Sequence, residues 1–318
     1  MKPVVTLGET MALLSTPPWG RVTAGAALPA GIGGAESNVA IGLARLGVES
    51  CWLSRVGDDA LGDFVTREIR AEGVRVLAER DPDAPTGLML KEMRAGKPRR
   101  VRYYRRGSAF SKMSTVDESV ITSAGLVHLT GITPALGRGP AKLVEHVMEL
   151  AHGASVPVSF DVNHRATLWD AEEAAPVLAR LVAAADIVFA GPEEAALVLS
   201  REPGGDDFAA GEELARALAA TGPRTVVVKL GALGALSLCN GEIHRGRASA
   251  VDVVDPVGAG DAFVAGYLSG VVAGASVPES VRLGNAAGAA VCAMPGDWEG
   301  FPVKEELGPV TGEGEVLR

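Results

Sequence analysis

The chain contains 318 residues, of which 47% are hydrophobic, and its 30 basic and 39 acidic residues give a formal net charge of −9. This length allows one large or two modest domains, and the acidic balance argues against a nucleic-acid or anionic-membrane partner. The three cysteines are widely spaced, which argues against a disulfide framework. With neither a signal-peptide layout nor an apolar run of about 18 residues, the expectation is a cytoplasmic protein.

Short apolar runs alternate along the chain with stretches of helical periodicity. The apolar runs predict buried strands at 4–7, 126–129, 156–160, 187–190 and 225–230. The periodic stretches predict helices at 36–46, 59–71, 140–152, 171–184, 192–199 and 211–219. This alternation indicates an α/β protein of three layers, α/β/α, with a mostly parallel central sheet. No linker or repeat divides the pattern, so residues 1–318 are predicted to form a single domain.

Two segments depart from the alternation. Residues 11–32 are rich in Gly, Pro and Ala and have room for short strands. Residues 86–106 contain two strand-like runs that are joined by a basic Gly/Pro turn. Strand pairs outside a β–α series predict a small separate sheet, attached to the main domain as a flap.

The stretch 255–263, Asp-Pro-Val-Gly-Ala-Gly-Asp-Ala-Phe, is the most informative part of the chain. It follows an apolar segment, 250–254, that reads as a short strand or an extended segment, and helical spacing begins at its end. Backbone N–H groups at a helix N-terminus attract an anion, and glycines let the backbone approach it closely. A carboxylate beside an anion site suits a general base, so Asp261 is predicted to deprotonate a hydroxyl that attacks a phosphoryl group. The alternative is a Gly-rich turn whose Asp only helps to start a helix.

Two strings in the chain resemble the signatures of the ribokinase (PfkB) family of carbohydrate kinases. The string at 255–263 resembles the second signature, and Gly-Gly-Ala-Glu-Ser-Asn-Val-Ala at 33–40 resembles the first. The resemblance implies a ribokinase-like fold in which segments 11–32 and 86–106 form a β lid over the sugar. In some relatives this lid also makes a dimer contact, so the resemblance leaves open a homo-oligomer formed through it.

The resemblance also implies roles for the residues of the second signature. Asp261 would be the catalytic base, and the backbone amides of Gly258, Ala259 and Gly260 would hold the migrating phosphoryl group. ATP and Mg²⁺ are the implied cofactors. Asp255, at the head of the string, is the candidate for binding a monovalent cation such as K⁺, as in some relatives.

The nucleotide site must be sought without the usual motifs. The chain has no Walker loop, and the string at 31–36 fails the Rossmann pattern at its last position. The resemblance places the nucleotide against the last third of the chain, where the candidate contacts are Lys229, Gly231, Gly234 and Asn285. Each has a structural alternative, which is a solvated strand end for Lys229, a tight turn for the glycines and a helix-surface amide for Asn285.

The candidate for the magnesium network is Glu194. Relatives often carry Asn-x-x-Glu after the corresponding strand, whereas this chain has Gly191-Pro192-Glu193-Glu194. The Glu is retained but the Asn is replaced by Gly191, which leaves the arrangement of the metal open. Pro at a first helical position, followed by acids in the first turn, also suits a helix start with no role in binding metal.

The first signature predicts the sugar site. Gly33 and Gly34 leave room for a polyol beside the backbone, and Asn38 can donate hydrogen bonds to hydroxyls and accept them. An ordinary turn before a helix, with Asn38 as a half-buried polar group, is the structural alternative.

Three further strings, at 103–109, 131–136 and 161–169, are similar to those of the family's 2-keto-3-deoxygluconate kinases. By that resemblance Arg105 and Arg165 bind the carboxylate end of a sugar acid, Tyr103 binds hydroxyls and Ile132 belongs to the site. A guanidinium offers a rigid fork to a carboxylate, which a neutral sugar does not need. The alternatives are a solvated basic cluster for Arg105, and for Arg165 an ion pair with Asp161 or a phosphate contact.

The resulting hypothesis is transfer of the γ-phosphoryl group of ATP to the terminal hydroxyl of 2-keto-3-deoxygluconate. Met89 stands where close relatives often have a tyrosine, and its thioether cannot supply that hydroxyl contact. The alternatives are another kinase of the family, acting on fructose, ribose, a nucleoside or a dehydro-deoxygluconate isomer, and a catalytically silent sugar-binding protein.

Overall fold

Two β-sheets and the helices around them make up the computed structural model, which describes residues 2–17, 20, 22–95, 97–205 and 207–308. In chain order the strands are β1 (Val4–Leu7), β2 (Met11–Ser15), β3 (Ala30–Gly33), β4 (Ser50–Gly57), β5 (Arg75–Asp81), β6 (Leu88–Arg94), β7 (Lys97–Tyr104), β8 (Leu126–Thr130), β9 (Val158–Asp161), β10 (Ile187–Ala190), β11 (Thr225–Lys229), β12 (Ala235–Cys239) and β13 (Glu242–Gly246). The helices are α1 (Ala35–Arg45), α2 (Ala60–Ala71), α3 (Glu118–Thr122), α4 (Arg138–Gly153), α5 (Ala171–Ala184), α6 (Pro192–Val198), α7 (Phe208–Ala219), α8 (Ala259–Val272) and α9 (Val277–Cys292).

The larger sheet has nine strands in the order β13-β12-β11-β10-β9-β8-β1-β4-β5. Neighbouring strands from β11 to β5 run parallel, whereas β12 is antiparallel to both β11 and β13. A parallel pair requires a crossover connection, and helices supply most of these connections. The predicted α/β architecture with a mostly parallel central sheet is confirmed.

Successive residues of the central strands enter two different apolar cores. Val5 packs with residues of α4, α5 and α7, whereas Val4 packs with residues of α1, α8 and α9. Because side chains alternate across a strand, this division places helices on both faces of the sheet. Helix α8 lies deep in the second layer and is buried from Asp261 to Gly270.

The smaller sheet has the strand order β3-β2-β6-β7. Its strands come from the two segments that depart from the alternation, 11–32 and 86–106, so the strands predicted there are present. Residues 18, 19, 21 and 96 of these segments lie outside the described part of the chain. Strand β2 pairs antiparallel with β3 and parallel with β6, which ties both segments into one sheet.

Most differences from the predicted elements lie at their ends or at the edges of the larger sheet. Helix α7 begins at Phe208 rather than at 211, and β9 spans Val158–Asp161 rather than 156–160. Strands β4, β5, β12 and β13 were not among the predicted strands. The side chains of β5 and β13 are mostly partly or fully exposed and carry little apolar signal. Strands β4 and β12 are mostly buried, but serine interrupts the apolar run of each, as does arginine in β4.

The strand alternative for 250–254 is wrong. The segment forms no strand, and Val253 is 60% exposed. A strand requires a partner, and this segment instead lies against the end of α9, where the Val254 N–H donates to the Cys292 carbonyl at 2.8 Å. Within the described residues, no helix combines the length and the apolar composition that crossing a bilayer requires.

Candidate active site

The N-terminus of α8 forms a backbone turn with free amides. Gly258 precedes the helix with φ +79°, a left-handed conformation that glycine adopts readily, and a Cβ there would lie 1.7 Å from the Asp297 carbonyl oxygen. The N–H groups of Gly258 and Gly260 donate to no other backbone group in the described ranges, while that of Ala259 makes a long bond of 3.3 Å to the Pro256 carbonyl. These amides and the helix dipole can bind an anion.

Asp261 lies in the first turn of α8 and is only 8% exposed. Burial raises the pKa of Asp261 to about 7, against the lowering effects of a hydrogen bond from Asn38 and of the nearby Arg165 guanidinium. The Asn38 side-chain amide donates to Asp261 Oδ2 at 2.8 Å, across 223 residues of sequence. A carboxylate with a pKa near 7 is well matched to general-base chemistry.

A cleft of about 980 Å³ opens on one side of Asp261. Several of its lining residues follow the carboxyl ends of parallel strands, where α/β proteins bind ligands. Lys229 at the end of β11 donates to both carboxylate oxygens of Asp161 at 2.8 Å. A Cβ on Gly260 would lie 3.8 Å from Lys229 Nζ, so this ammonium stands beside the free amides. Burial alone would lower the pKa of Lys229, but the Asp161 and Glu194 carboxylates raise it above its ordinary value.

Glu194 also lines this cleft, and its two oxygens already accept hydrogen bonds. Oε2 accepts from the Gly191 N–H at 2.7 Å, and Oε1 accepts from the His164 N–H at 3.1 Å. Among the described residues, no group of three or more His, Cys, Asp or Glu side chains is arranged to hold a metal ion. Magnesium keeps several waters and binds through one or two carboxylates and substrate phosphates. Glu194 therefore fits the water shell of a hydrated ion carried by a nucleotide, whereas Asp161 already has Lys229 as its cationic partner.

The other predicted nucleotide residues lie further along the same edge. Gly231 and Gly234 have φ of +56° and +110° in a short 3-10 turn after β11, and neither lines the cleft. Asn285 is 7% exposed, and its amide donates to the Gly246 carbonyl at 3.0 Å. It therefore ties α9 to β13, and the alternative of a helix-surface amide does not apply.

A second, smaller cavity of about 190 Å³ lies between Asp261 and the smaller sheet. Its lining includes most of the predicted sugar residues, namely Gly33, Gly34, Asn38, Tyr103, Ile132 and Arg165. A Cβ on Gly33 would lie 2.2 Å from Met89 Cε and 2.7 Å from Asp297 Oδ2, so a larger residue there would have to displace both side chains. The Asn38 Oδ1 atom is buried and accepts no hydrogen bond from the described residues, and Asn38 lines the smaller cavity.

The two predicted arginines have different surroundings. Arg165 is exposed, lines both cavities and has none of the described carboxylates within 4.0 Å. The alternative of an ion pair with Asp161 does not apply, since Lys229 takes that partner. Arg105 is 10% exposed in its side chain and pairs with Glu9, at 2.6 Å between Nε and Oε2. It is not part of a solvated cluster, and it does not line the smaller cavity.

Behind the glycines, Glu36 anchors the start of α1. Its side chain is buried and accepts hydrogen bonds from Thr130 Oγ1 at 2.6 Å and Thr133 Oγ1 at 2.8 Å. Burial raises the pKa of Glu36 despite these hydrogen bonds. The carboxylate thereby links the first signature to the end of β8. Glu36 belongs to the first signature string, at 33–40, but its hydrogen-bond partners could not be predicted from the sequence.

Asp255 does not fit a monovalent cation site, because it already has a cationic partner. Its Oδ2 accepts from Lys91 Nζ at 2.9 Å, and its Oδ1 accepts from the Val257 N–H at 3.1 Å. Lys91 also lies 3.4 Å from Asp297 Oδ1, and both residues line the smaller cavity. Neither Lys91 nor Asp297 was predicted to belong to the site. A lone lysine in a strand and an acid after a Pro-Gly turn carry no local signal for such a contact.

Comparison with known proteins accords with this geometry. The profile of the pfkB family carbohydrate kinases matches residues 1–303. The chain is 38% identical to a 2-dehydro-3-deoxygluconokinase from Bacillus subtilis (strain 168), over 95% of this chain and 93% of that one. The fold matches that of a 2-dehydro-3-deoxygluconokinase from Thermotoga maritima with a TM-score of 0.85, at 28% identity over 96% and 98% of the two chains. It also matches a sugar kinase from Pyrococcus horikoshii in complex with ATP, with a TM-score of 0.79 at 26% identity over 95% and 96%.

The profile covers both signature strings, the larger sheet and the smaller sheet. The similarity is thus not confined to one motif but extends over nearly the whole chain, and it includes Asp261 and the amides before it. The chain belongs to the pfkB family of carbohydrate kinases.

Proposed function

We propose that this kinase transfers the γ-phosphoryl group of ATP to the terminal hydroxyl of 2-keto-3-deoxygluconate. The observation that carries the proposal is the position of Asp261, which lines both the larger cleft and the smaller cavity. A nucleotide in the cleft and a sugar acid in the cavity would meet at this carboxylate. Lys229 and the amides at the start of α8 lie on the side of Asp261 that faces the larger cleft, where the phosphates of the nucleotide would bind.

In the proposed reaction, Asp261 accepts the proton of the sugar hydroxyl. The hydroxyl oxygen bonds to the γ-phosphorus while the bond from that phosphorus to the bridging oxygen of ADP breaks. The amides of Gly258, Ala259 and Gly260 donate to the phosphoryl oxygens in transit, and Lys229 adds positive charge beside them. We assign Glu194 to the water network of Mg²⁺, which would neutralise phosphate charge when bound with the nucleotide. Gly231, Gly234 and Asn285 do not line the cleft itself, so we assign them to the outer part of the nucleotide site, further along the same edge of the sheet.

The sugar acid is assigned to the smaller cavity. Asn38 Oδ1 and Tyr103 can bind hydroxyls there, and Gly33 and Gly34 bring the backbone close. Arg165 lies at the junction of the two cavities, where a guanidinium can attract the charge of an acid or of a phosphate. Two of the similar proteins carry the name 2-dehydro-3-deoxygluconokinase, which supports this substrate.

The smaller sheet supplies Met89, Tyr103 and Lys91 to the wall of the sugar cavity. We infer that it acts as the lid, because a sheet that covers a sugar can exclude water and prevent hydrolysis of ATP. Arg105 follows β7, is held by Glu9 and does not line the sugar cavity, so we assign it to fixing the end of the lid strand rather than to direct contact with the carboxylate of the substrate.

The test is ADP release from Mg–ATP with a panel of acceptors: 2-keto-3-deoxygluconate, its galactonate epimer, gluconate, fructose, ribose and adenosine. Turnover that is strongest with 2-keto-3-deoxygluconate is the expected result. Turnover with neutral sugars alone would retain Asp261 as the base and overturn the sugar acid as the substrate. Absence of turnover with every acceptor would overturn this substrate assignment and favour a silent binding protein.

Asp261→Asn is the matched control variant for the chemistry. The amide keeps the shape of the side chain but cannot accept the proton, so we expect kcat to fall by at least about 100-fold. Binding of Mg–ATP, measured by calorimetry without sugar, should remain close to that of the unchanged protein. Full turnover by this variant would contradict the role assigned to Asp261.

A further inference from the structure

Three segments that are distant in sequence meet at one buried ammonium group. Lys91 lies on β6, and its side chain is 5% exposed. Its Nζ lies 2.9 Å from Asp255 Oδ2 at the head of the α8 turn and 3.4 Å from Asp297 Oδ1. The Asp255 and Asp297 side chains are themselves only 3% and 12% exposed. Buried charges of this kind must be paired, since an unpaired one is costly.

The backbone of Lys91 is fixed as firmly as its ammonium group. Its residue lies opposite Ser15 of β2 and Val101 of β7, in the middle of the smaller sheet. Its carbonyl oxygen accepts from the Thr16 N–H at 2.9 Å. The ion pair therefore joins two fixed parts of the structure, which are the smaller sheet and the turn before α8. It is not a contact between a mobile side chain and an acid on the surface.

On the other side of the pair, Asp255 shapes the turn that carries the amides. Its Oδ1 accepts from the Val257 N–H at 3.1 Å, while Oδ2 is held by Lys91. Gly258 follows at once and packs against the backbone of Asp297, which is the second partner of Lys91. An uncompensated carboxylate at this place would repel the phosphoryl anion that the turn has to bind.

We propose that the Lys91 ammonium is the resident cation of the α8 turn, so that this kinase works without a monovalent metal ion at Asp255. Lys91 is a positioning residue. It compensates the charges of Asp255 and Asp297, and it fixes the position of the smaller sheet relative to the amides of Gly258 and Gly260. The inference rests on the proposed phosphoryl transfer at Asp261. It differs from the expectation of K⁺ at Asp255 because that carboxylate already has the buried Lys91 ammonium group as its partner.

The first measurement needs no variant. The thermal unfolding midpoint and the kcat of the unchanged protein are measured as the KCl concentration rises from zero to about 200 mM, a range that includes physiological ionic strength. Choline chloride replaces the missing KCl, so that the ionic strength stays constant. We expect neither quantity to change as K⁺ replaces choline. A saturable rise of either with K⁺ would overturn the proposal, whichever acceptor is used.

The second measurement uses Lys91→Met, which keeps the length of the side chain and removes its charge. Two buried carboxylates then face each other without a cation, so we expect kcat to fall about tenfold or more, as for loss of an interaction worth ~1.4 kcal/mol or more. K⁺ or NH₄⁺ should now raise both kcat and the unfolding midpoint of the variant. A variant with unchanged kcat, or one that is slow but insensitive to both ions, would contradict the role of Lys91 as a cation.

Arg102→Gln is the matched control, because it removes a charge from the same sheet at an exposed pair with Glu92. This variant should behave as the unchanged protein does in every salt. The unfolding midpoint reports on the cation without any turnover, so a failure of the substrate assignment cannot be mistaken for a failure of this inference. If Lys91→Met does not fold, the K⁺ response of the unchanged protein still decides the question.

Discussion

The protonation state of Asp261 sets the pH range in which the site can work. Because burial raises the pKa of this carboxyl to about 7, a base at this position is active only above that pH. We therefore expect kcat/KM to fall roughly tenfold per pH unit below about pH 7. The measurement is a kcat/KM profile with the preferred acceptor from acid to mildly alkaline pH.

Asn38→Ala tests whether that acid limb belongs to Asp261. The Asn38 hydrogen bond favours the ionised carboxylate, so its loss raises the pKa of Asp261 further and moves the limb to higher pH. A limb that stays in place in this variant would assign the titration to another group.

The two arginines of the predicted carboxylate clamp should differ in their effects on stability. Arg105→Ala leaves the buried Glu9 carboxylate without its partner, so we expect the free energy of unfolding to fall by ~3–5 kcal/mol. Arg165→Ala, at an exposed site that has no ion pair with any described residue, should change it by less than ~0.5 kcal/mol. Urea denaturation of both variants makes the comparison, and equal losses would show that the Glu9 pair contributes little.

At the scale of elements, the junction between β3 and α1 limits the sugar cavity. Gly33 approaches Met89 of β6 and Asp297 so closely that an added methyl group must displace both of them. For Gly33→Ala we expect the KM of the sugar acid to rise about tenfold or more, as overpacking by ~1–3 kcal/mol implies, with the KM of ATP nearly unchanged. Steady-state kinetics in both substrates measures this difference.

Gly153→Ala is the control for that substitution. Gly153 ends α4, and a Cβ there meets no atom within 4 Å. The Gly153→Ala variant should have the same KM values for the sugar acid and for ATP as the unchanged protein. If Gly33→Ala raised both KM values alike, the effect would be a general loss of structure and not a change in the sugar cavity.

At the scale of the whole molecule, the sugar site is built from parts that only the folded chain brings together. A ligand that binds the folded state alone stabilises it, by ~2.7 kcal/mol at 100 times its Kd. We expect 2-keto-3-deoxygluconate to raise the unfolding midpoint of Asp261→Asn, which cannot turn it over, while fructose at the same concentration leaves it unchanged. An equal rise with fructose would count against recognition of an acid.

Local pattern was enough to predict the architecture and the start of the helix that carries Asp261. Apolar runs that alternate with helical periodicity predicted the parallel sheet, because a parallel strand buried on both faces must be apolar throughout. The glycines and the carboxylate of 258–261 predicted the anion site and the start of α8, because both depend on the backbone of a few consecutive residues. The polar edge strands β5 and β13 lacked such a pattern and were not predicted. Strands β4 and β12 were missed as well, because serine, and arginine in β4, interrupts their apolar runs.

The sequence by itself determined the fold class, the family and the place of Asp261, all of which depend on neighbours in the chain. Only the tertiary structure decided the partners of charged side chains: Arg105 with Glu9 across 96 residues, and Lys91 with Asp255 across 164. The physical reason is that a charged side chain in a strand looks solvated in sequence. Whether it is buried, and against which carboxylate, depends on how the two sheets pack.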